Sequence, residues 1–242
     1  MKRDLKNSKV MMVGTGLLGL LSLLLSSCLK ETTSETAPPA TALVTFYQAS
    51  PDEPALDLDF STNKVNQSPL LYGDGVDYFS VFAGQRTVNL YNTGTFNTIK
   101  STTITVAPNN AYSLFLANTA ANPEVVLLTD TLNKPSTGNG SVRFVDLSPD
   151  APSVDLAIQG GAILVTNRGF KGYSSFMPIT GNTTYTFKIL QAGTSTVLAT
   201  LPGIAIKSGY IYTILFDGLL PSTANNDDKL NATIITNAYF IN

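Results

Sequence analysis

Carboxylates are the main chemically capable side chains of this chain, because two common reactive residue types are almost missing from it. Its 242 residues include no histidine and one cysteine, Cys28, beside 17 Asp and Glu and 15 Lys and Arg. Without histidine the chain has no Ser-His-Asp triad, no Cys-His pair and no histidine zinc site. The chemistry that remains is calcium binding or hydrolysis by two facing carboxylates.

Neither carboxylate chemistry receives clear support from residue spacing. Asp57, Asp59, Asp74 and Asp77 fall on predicted strands or loops with no sign of convergence. Asp74 and Asp77 are the calcium candidate, yet the corresponding segment 167–172 later in the chain is basic. We therefore predict no enzyme, no cofactor and no metal site intrinsic to the fold.

A nine-residue motif occurs twice, as SPDEPALDL at 50–58 and SPDAPSVDL at 148–156, with a spacing of 98 residues. Proline presets φ in a turn, and Ser or Asp side chains bond to nearby backbone amides. The motif therefore predicts a structural turn rather than a binding site. Its shared residues are Ser50, Pro51, Asp52, Pro54 and Asp57 in the first copy, and Ser148, Pro149, Asp150, Pro152 and Asp155 in the second.

The elements that position these residues are predicted to be strands. Apolar and polar residues alternate after each motif, and Pro and Gly punctuate the chain at short intervals. We predict an all-β chain of two tandem immunoglobulin-like β-sandwich modules, each with about seven strands. The first module spans 42–132, a linker spans 133–140, and the second module spans 141–242. So short a linker favours a bent or end-to-end pair with some hinge freedom.

Tyrosines suggest both structural and binding roles. Tyr112 and Tyr212 follow polar turns at matching positions, which predicts tyrosine corners whose hydroxyls bond to nearby backbone. Tyr47, Tyr72 and Tyr91 have no matching role, and as exposed side chains they would suit a sugar-binding surface.

The N-terminus has the features of a lipoprotein signal. Basic residues precede an apolar run from Val10 to Leu25, which is too short for a typical membrane span. Leu25, Ser26, Ser27 and Cys28 resemble a lipobox, which implies cleavage after residue 27 and lipid on the Cys28 sulfur. We predict a signal peptide over 1–27 and a lipidated, flexible tether over 28–41.

Each motif, together with the strand before it, resembles the opening of the bacterial domain of unknown function family 4397. That family is usually secreted or lipid-anchored and often occurs in tandem, which implies two copies here. It often has a histidine two residues before the motif serine, where this chain has Gln48 and Asp146. The family has no established activity, so the resemblance implies fold and location only.

These observations predict a non-enzymatic lipoprotein of the bacterial cell envelope. The expected role is structural, adhesive or scaffolding, with carbohydrate binding as the alternative and an envelope protein or a glycan as partner. Charged residues after Cys28 resemble an export signal of Bacteroidetes lipoproteins, which favours the outer membrane, facing the periplasm or the surface. The formal charge of −2 and the lack of basic clusters beyond the signal disfavour nucleic acid. Thr131 lies in a segment that resembles an O-glycosylation acceptor.

Overall fold

The structure is a computed structural model that describes residues 38–220 and 228–240. All described strands lie in the unit Pro39–Asn242. The predicted signal peptide, the lipobox residues Leu25, Ser26 and Ser27, and the lipid acceptor Cys28 lie outside the described residues.

Eight strands build the first module, one more than the predicted seven because of the two-residue β3. They are β1 (Thr41–Gln48), β2 (Leu56–Phe60), β3 (Asn63–Lys64), β4 (Gly75–Phe82), β5 (Gly84–Asn92), β6 (Thr98–Val106), β7 (Ala111–Ala117) and β8 (Glu124–Asp130).

Eight strands also build the second module. They are β9 (Asn139–Asp146), β10 (Val154–Ile158), β11 (Ile163–Arg168), β12 (Met177–Thr180), β13 (Thr183–Gln191), β14 (Val197–Ile206), β15 (Tyr210–Asp217) and β16 (Asn231–Tyr239). No α-helix occurs among the described residues.

The two modules repeat one topology. One sheet of the first module has the order β4-β1-β7-β8, and the corresponding sheet of the second has β12-β9-β15-β16. The other sheets have the orders β3-β2-β5-β6 and β11-β10-β13-β14. β1 pairs in parallel with β7, as β9 does with β15, and the remaining sheet pairs are antiparallel. The prediction of an all-β chain with two β-sandwich modules is confirmed.

Each module has an apolar core between its two sheets. In the first module Val44, Leu58 and Leu114 are fully buried there, and in the second Phe144, Leu156 and Ile214 are. Alternate side chains of a strand point to opposite faces, so the predicted period-two pattern supplies these residues.

A third apolar cluster joins the modules. It contains Tyr47 and Phe115 from the first module and Val145, Leu147 and Leu215 from the second. These residues alternate with the core residues of β1, β7, β9 and β15, so the two sheets that contain these strands pack face to face. We call these two sheets the inner sheets and the other two the outer sheets.

The prediction was a bent or end-to-end pair with some hinge freedom, and the face-to-face packing of the inner sheets contradicts the end-to-end form and the hinge freedom. β7 and β15 are buried on both faces, which explains their almost continuous apolar sequences. Because a broad apolar contact holds the inner sheets together, the short linker does not act as a hinge between independent modules.

Both predicted tyrosine corners are confirmed. The Ala107 amide donates to the Tyr112 hydroxyl at 2.9 Å, and the Lys207 amide donates to the Tyr212 hydroxyl at 3.1 Å. Each bond fixes the turn that leads into β7 or β15.

Candidate functional site

The first half of the repeated motif holds the loop that follows β7 or β15. The Ser50 hydroxyl donates to the Asn118 carbonyl at 2.8 Å, and the Asp52 carboxylate accepts from the Ala120 amide at 2.8 Å. In the second module Ser148 and Asp150 form the same pair of bonds with Gly218 and Leu220, at 2.7 and 3.0 Å. The motif serine and first aspartate thus have matching partners in both modules.

The last aspartate of the motif holds a hairpin of the outer sheet. Asp57 accepts from the Gly94 amide at 3.1 Å, and Asp155 accepts from the Gly193 amide at 3.0 Å. Both glycines have positive φ, at 68° and 70°, which the turn requires and most residues avoid. The prolines of the motif lie in the same segment, where Pro51 is buried and Pro54 and Pro152 are exposed while Pro149 is half-buried.

Asp57 has additional donors that Asp155 lacks. Lys64 Nζ lies 2.9 Å from its carboxylate, and the side chains of Thr93 and Asn66 donate at 2.9 and 3.1 Å. Burial raises the pKa of Asp57, but the hydrogen bonds from Lys64, Gly94, Asn66 and Thr93 outweigh it and hold that pKa far below its ordinary value. Asp57 is consequently ionised and fully engaged within the fold.

The two positions where the resembled family often has histidine differ between the modules. Gln48 accepts from the Ser50 amide at 2.6 Å and donates to the Ser50 carbonyl at 3.0 Å. Asp146 accepts from the Ser148 amide at 3.0 Å, but its second oxygen has no partner among the described residues.

Asp146 lies beside a second buried carboxyl, Asp217. Phe216 is the ladder partner of Asp146, and both carboxyl side chains are fully buried. Burial is the main cause that raises the pKa of each from 3.8 to about 7; at Asp146 the Ser148 amide opposes this rise and repulsion from Asp217 contributes to it. The Tyr72 hydroxyl donates to Asp217 at 2.8 Å, so this acidic pair reaches across to the first module.

A buried polar cluster occupies another part of the contact between modules. Arg143 on β9 forms an ion pair with Asp130 on β8 at 2.6 Å, and the two side chains are 2% and 0% exposed. Arg143 also donates to Ser113 and Thr213, at 2.7 and 2.8 Å. Tyr78 donates to Asp130 and accepts from the Asn237 amide group. Both modules thus contribute to a single polar network, which we call the joint network.

The three tyrosines that were candidates for a sugar-binding surface have different environments. Tyr47 is 8% exposed in the contact between modules, so it is not available to an external ligand. Tyr72 is half-buried and bonded to Asp217. Tyr91 is half-buried on the outward face of β5, where it pairs with Asp57. Only Tyr91 therefore remains in a position suited to an external ligand.

The calcium candidates do not form a cluster. Asp74 accepts from the Leu71 amide at 2.9 Å, and Asp77 is exposed. Within residues 38–220 and 228–240, no three Asp, Glu, His or Cys side chains gather closely enough to hold a metal ion.

A pocket of about 300 Å³ lies on the outer sheet of the first module. Phe96, at the tip of the β5–β6 hairpin, is 96% exposed, and Tyr91 lines the pocket beside it. We call this site the Phe96 pocket. Its lining residues are Asp57, Asp59, Lys64, Tyr91, Gly94, Thr95 and Phe96.

On the corresponding surface of the second module, four residues of the Phe96 pocket are replaced by aliphatic residues or serine. Strand pairing aligns Tyr91 with Leu190, since each pairs with the last motif aspartate, and aligns Asp59 with Ala157. Lys64 aligns with Ile163. Phe96 aligns with Ser195, since each follows the Gly-Thr of an equivalent hairpin.

Sequence reasoning missed the joint network and the full set of residues in the Phe96 pocket. Arg143 stands inside an apolar strand, which is a signal for a buried charge, but its partner Asp130 belongs to the other module. Phe96 would have been found by aligning the two hairpins after Gly94 and Gly193.

Comparisons with known proteins give one family match and several distant structural likenesses. Residues 42–157 match the family described as domain of unknown function DUF4397, which includes both copies of the motif. No curated protein matches the chain in sequence.

Among solved structures, a family CBM26 carbohydrate-binding module from Eubacterium rectale, solved with maltoheptaose, is 11% identical, with 82% of this chain and 97% of that chain covered at a TM-score of 0.27. A family 41 carbohydrate-binding module from streptococcal virulence factors is 10% identical, with 79% of this chain and 96% of that chain covered at a TM-score of 0.26. A proposed adhesin from Bacteroides ovatus is 9% identical, with 82% of this chain and 93% of that chain covered at a TM-score of 0.22. At these TM-scores the likenesses carry no argument about what this chain binds.

Among residues 38–220 and 228–240, no helix has the length and apolar character to span a bilayer.

Proposed function

We propose that this chain is a non-enzymatic binding protein of the bacterial cell envelope, with an adhesive or scaffolding role. Lipid on Cys28 attaches it to the outer membrane, and the residues between Cys28 and the start of β1 at Thr41 form the tether that connects the lipid to the two modules. Several acyl chains on one cysteine hold a protein at a membrane without any membrane-spanning segment.

The observation that supports binding is that the two modules share their internal bonds but have different residues at equivalent surface positions. Both copies of the motif engage their serine and aspartates inside the fold, at matching partners. The outer surfaces beside these motifs differ in chemistry, as Tyr91 against Leu190 illustrates. Internal bonds that both modules share, together with surface residues that differ between them, are expected of a scaffold that presents a recognition surface.

Two measurements on the full chain test this proposal. Fractionation of cells should find the wild-type chain with the outer membrane and Cys28→Ser in the soluble fraction. The purified chain should bind isolated outer-membrane proteins or envelope glycans saturably, and leave them chemically unchanged. A Cys28→Ser chain that still sediments with membranes, or hydrolysis of a bound glycan, would contradict the proposal.

A carbohydrate-binding accessory lipoprotein is the second candidate, and one observation favours it. The Phe96 pocket combines two aromatic side chains with a carboxylate that is not engaged within the fold, and flat rings beside hydrogen-bonding groups suit the apolar faces and hydroxyls of sugars. A glycan array probed with the full chain separates the two candidates, because adhesion through protein contacts alone gives no signal on it.

A further inference from the structure

We infer that the Phe96 pocket of the first module binds a short stretch of a neutral saccharide. This inference rests on the proposed binding function and names its site and its ligand class. Four side chains carry it: Asp59, Lys64, Tyr91 and Phe96.

Because the second module has the same fold, comparing it with the first indicates which residues the fold requires. The hairpin before β6 and the hairpin before β14 have the same bonds: the Thr95 and Thr194 hydroxyls donate to the carbonyls of Asn92 and Gln191, at 2.8 and 2.9 Å. That hairpin forms equally well with Ser195 where the first module has Phe96. The exposed Phe96 ring therefore has no role in forming the turn.

The pocket also offers polar groups that the fold leaves available. Among the described residues, no hydrogen-bond partner reaches the Asp59 carboxylate or the Tyr91 hydroxyl. An ionised carboxylate is an acceptor only, with room for two neighbouring hydroxyl donors. A phenol both donates and accepts, as sugar hydroxyls do.

The charges in the pocket favour a neutral saccharide over an anionic one. Lys64 pairs with Asp57 at 2.9 Å, which leaves the Asp59 carboxylate as the unpaired charge of the lining. Asp59 repels an anionic saccharide. A neutral ligand rich in hydroxyl groups avoids that repulsion and can donate to the Asp59 oxygens.

The size and exposure of the pocket fit a short saccharide segment. Its volume of about 300 Å³ lies at the small end of the range for ligand pockets. The pocket is at the sheet surface and Phe96 projects from the hairpin tip, so a longer chain can pass over it. Aromatic faces carry negative charge density that attracts the weakly positive C–H groups of a sugar ring.

The test uses the full chain on a panel of oligomers of glucose, mannose, galactose and N-acetylglucosamine, with uronic acid oligomers and oligolysine as charged probes. We expect saturable binding of at least one neutral oligomer. Calorimetric titration with that oligomer should show about tenfold weaker binding for Phe96→Ser and Tyr91→Leu, which install the residues of the second module. Ser195→Ala is the matched control and should bind as the wild type does.

Each remaining outcome has a definite meaning. Absence of neutral oligomer binding overturns the inference, and if the chain still binds an envelope protein, the proposed function stands. Saccharide binding that Phe96→Ser and Tyr91→Leu leave unchanged overturns the site. Tighter binding of oligolysine or uronic acid oligomers overturns the ligand class. Loss of binding to saccharide and envelope protein alike overturns both the inference and the proposed function.

Discussion

The two modules share one frame but differ at their outer sheets. Each has the same strand order, the same tyrosine corner and the same motif bonds. The outer sheet of the first module has Tyr91 and Phe96 around a charged pocket, whereas the second has Leu190 and Ser195. The bonds common to both modules maintain the sandwich, and the difference is confined to residues at the outer surface.

The modules also differ in what each contributes to their contact. Arg143 on β9 and Thr45 on β1 occupy equivalent positions of the two inner sheets. Arg143 pairs with Thr213 on β15, and Thr45 pairs with Ser113 on β7. The second module supplies the cation of the joint network and the first supplies its carboxylate, Asp130. The two copies are therefore complementary, and each needs the other to satisfy a buried charge.

The largest predicted difference between equivalent positions is at Arg143 and Thr45. Arg143→Met leaves Asp130 buried without its ion pair, and we expect the free energy of unfolding to fall by about 3–5 kcal/mol. Thr45→Val removes one bond to the Val76 carbonyl and should cost about 1 kcal/mol. Urea unfolding of both variants measures the difference, and equal costs would show that the joint network does not stabilise the contact.

The next prediction concerns pH and the acidic pair of the second module. Burial raises the pKa of Asp146 and Asp217 from 3.8 to about 7, so between these values the folded chain holds protons that the unfolded chain has released. The contribution of these groups to the free energy of unfolding is therefore at its full value below pH 3.8. It decreases as pH rises from 3.8 to about 7, at up to about 1.4 kcal/mol per pH unit for each group. Stability should therefore be higher at pH 5 than at pH 8.

A variant drawn from the first module tests this pH dependence. Asp146→Gln installs the equivalent of Gln48 and should flatten the slope of stability against pH. Part of the slope should persist for two reasons. Burial still raises the pKa of Asp217, and burial, followed by repulsion from Asp52, raises the pKa of Glu53 to about 7. Asp57, whose pKa is lowered, loses its contribution only below its ordinary pKa of 3.8. The exposed Asp77→Asn is the control, and a slope that Asp146→Gln leaves unaltered would disprove the assignment.

A smaller difference is expected at the last motif aspartates. Asp57 accepts from three side chains and one amide, whereas Asp155 accepts from the amides of Asn167 and Gly193. Asp57→Ala should therefore destabilise the chain by about 1 kcal/mol more than Asp155→Ala. Thermal unfolding of the two variants would decide it, and a greater loss for Asp155→Ala would reverse the ranking.

The smallest expected effect on stability is that of Phe96→Ser. The side chain is 96% exposed, so its removal should change the free energy of unfolding by less than about 0.5 kcal/mol. Urea unfolding beside the wild type checks this. A larger loss would mean that Phe96 supports the hairpin and is not free for a ligand.

The strands and the sandwich class were predictable because alternation at positions such as Leu56 and Leu58 depends on local sequence alone. The contact between modules was not, although the run from Leu114 to Ala117 indicates a strand buried on both faces. A strand sequence does not identify what covers its second face, which is why Tyr47 was included among the candidates for a sugar-binding surface.

The candidate site was only partly predictable for a related reason. Tyr91 stood out in the sequence because no equivalent tyrosine occurs in the second half. Its neighbours in the pocket depend on the register of β2 with β3 and β5, and that register brings Asp59 opposite Lys64. Residue type therefore identified a candidate, but pairing between strands was needed to complete the site.

Amide chemical shifts, recorded while the full chain is titrated with its tightest-binding neutral oligomer, test the division of roles between modules most directly. We predict shifts centred on Asp59, Lys64, Tyr91 and Phe96, with the equivalent residues Ala157, Ile163, Leu190 and Ser195 unchanged. Shifts of similar size in both outer sheets, or confined to the second module, would contradict the account.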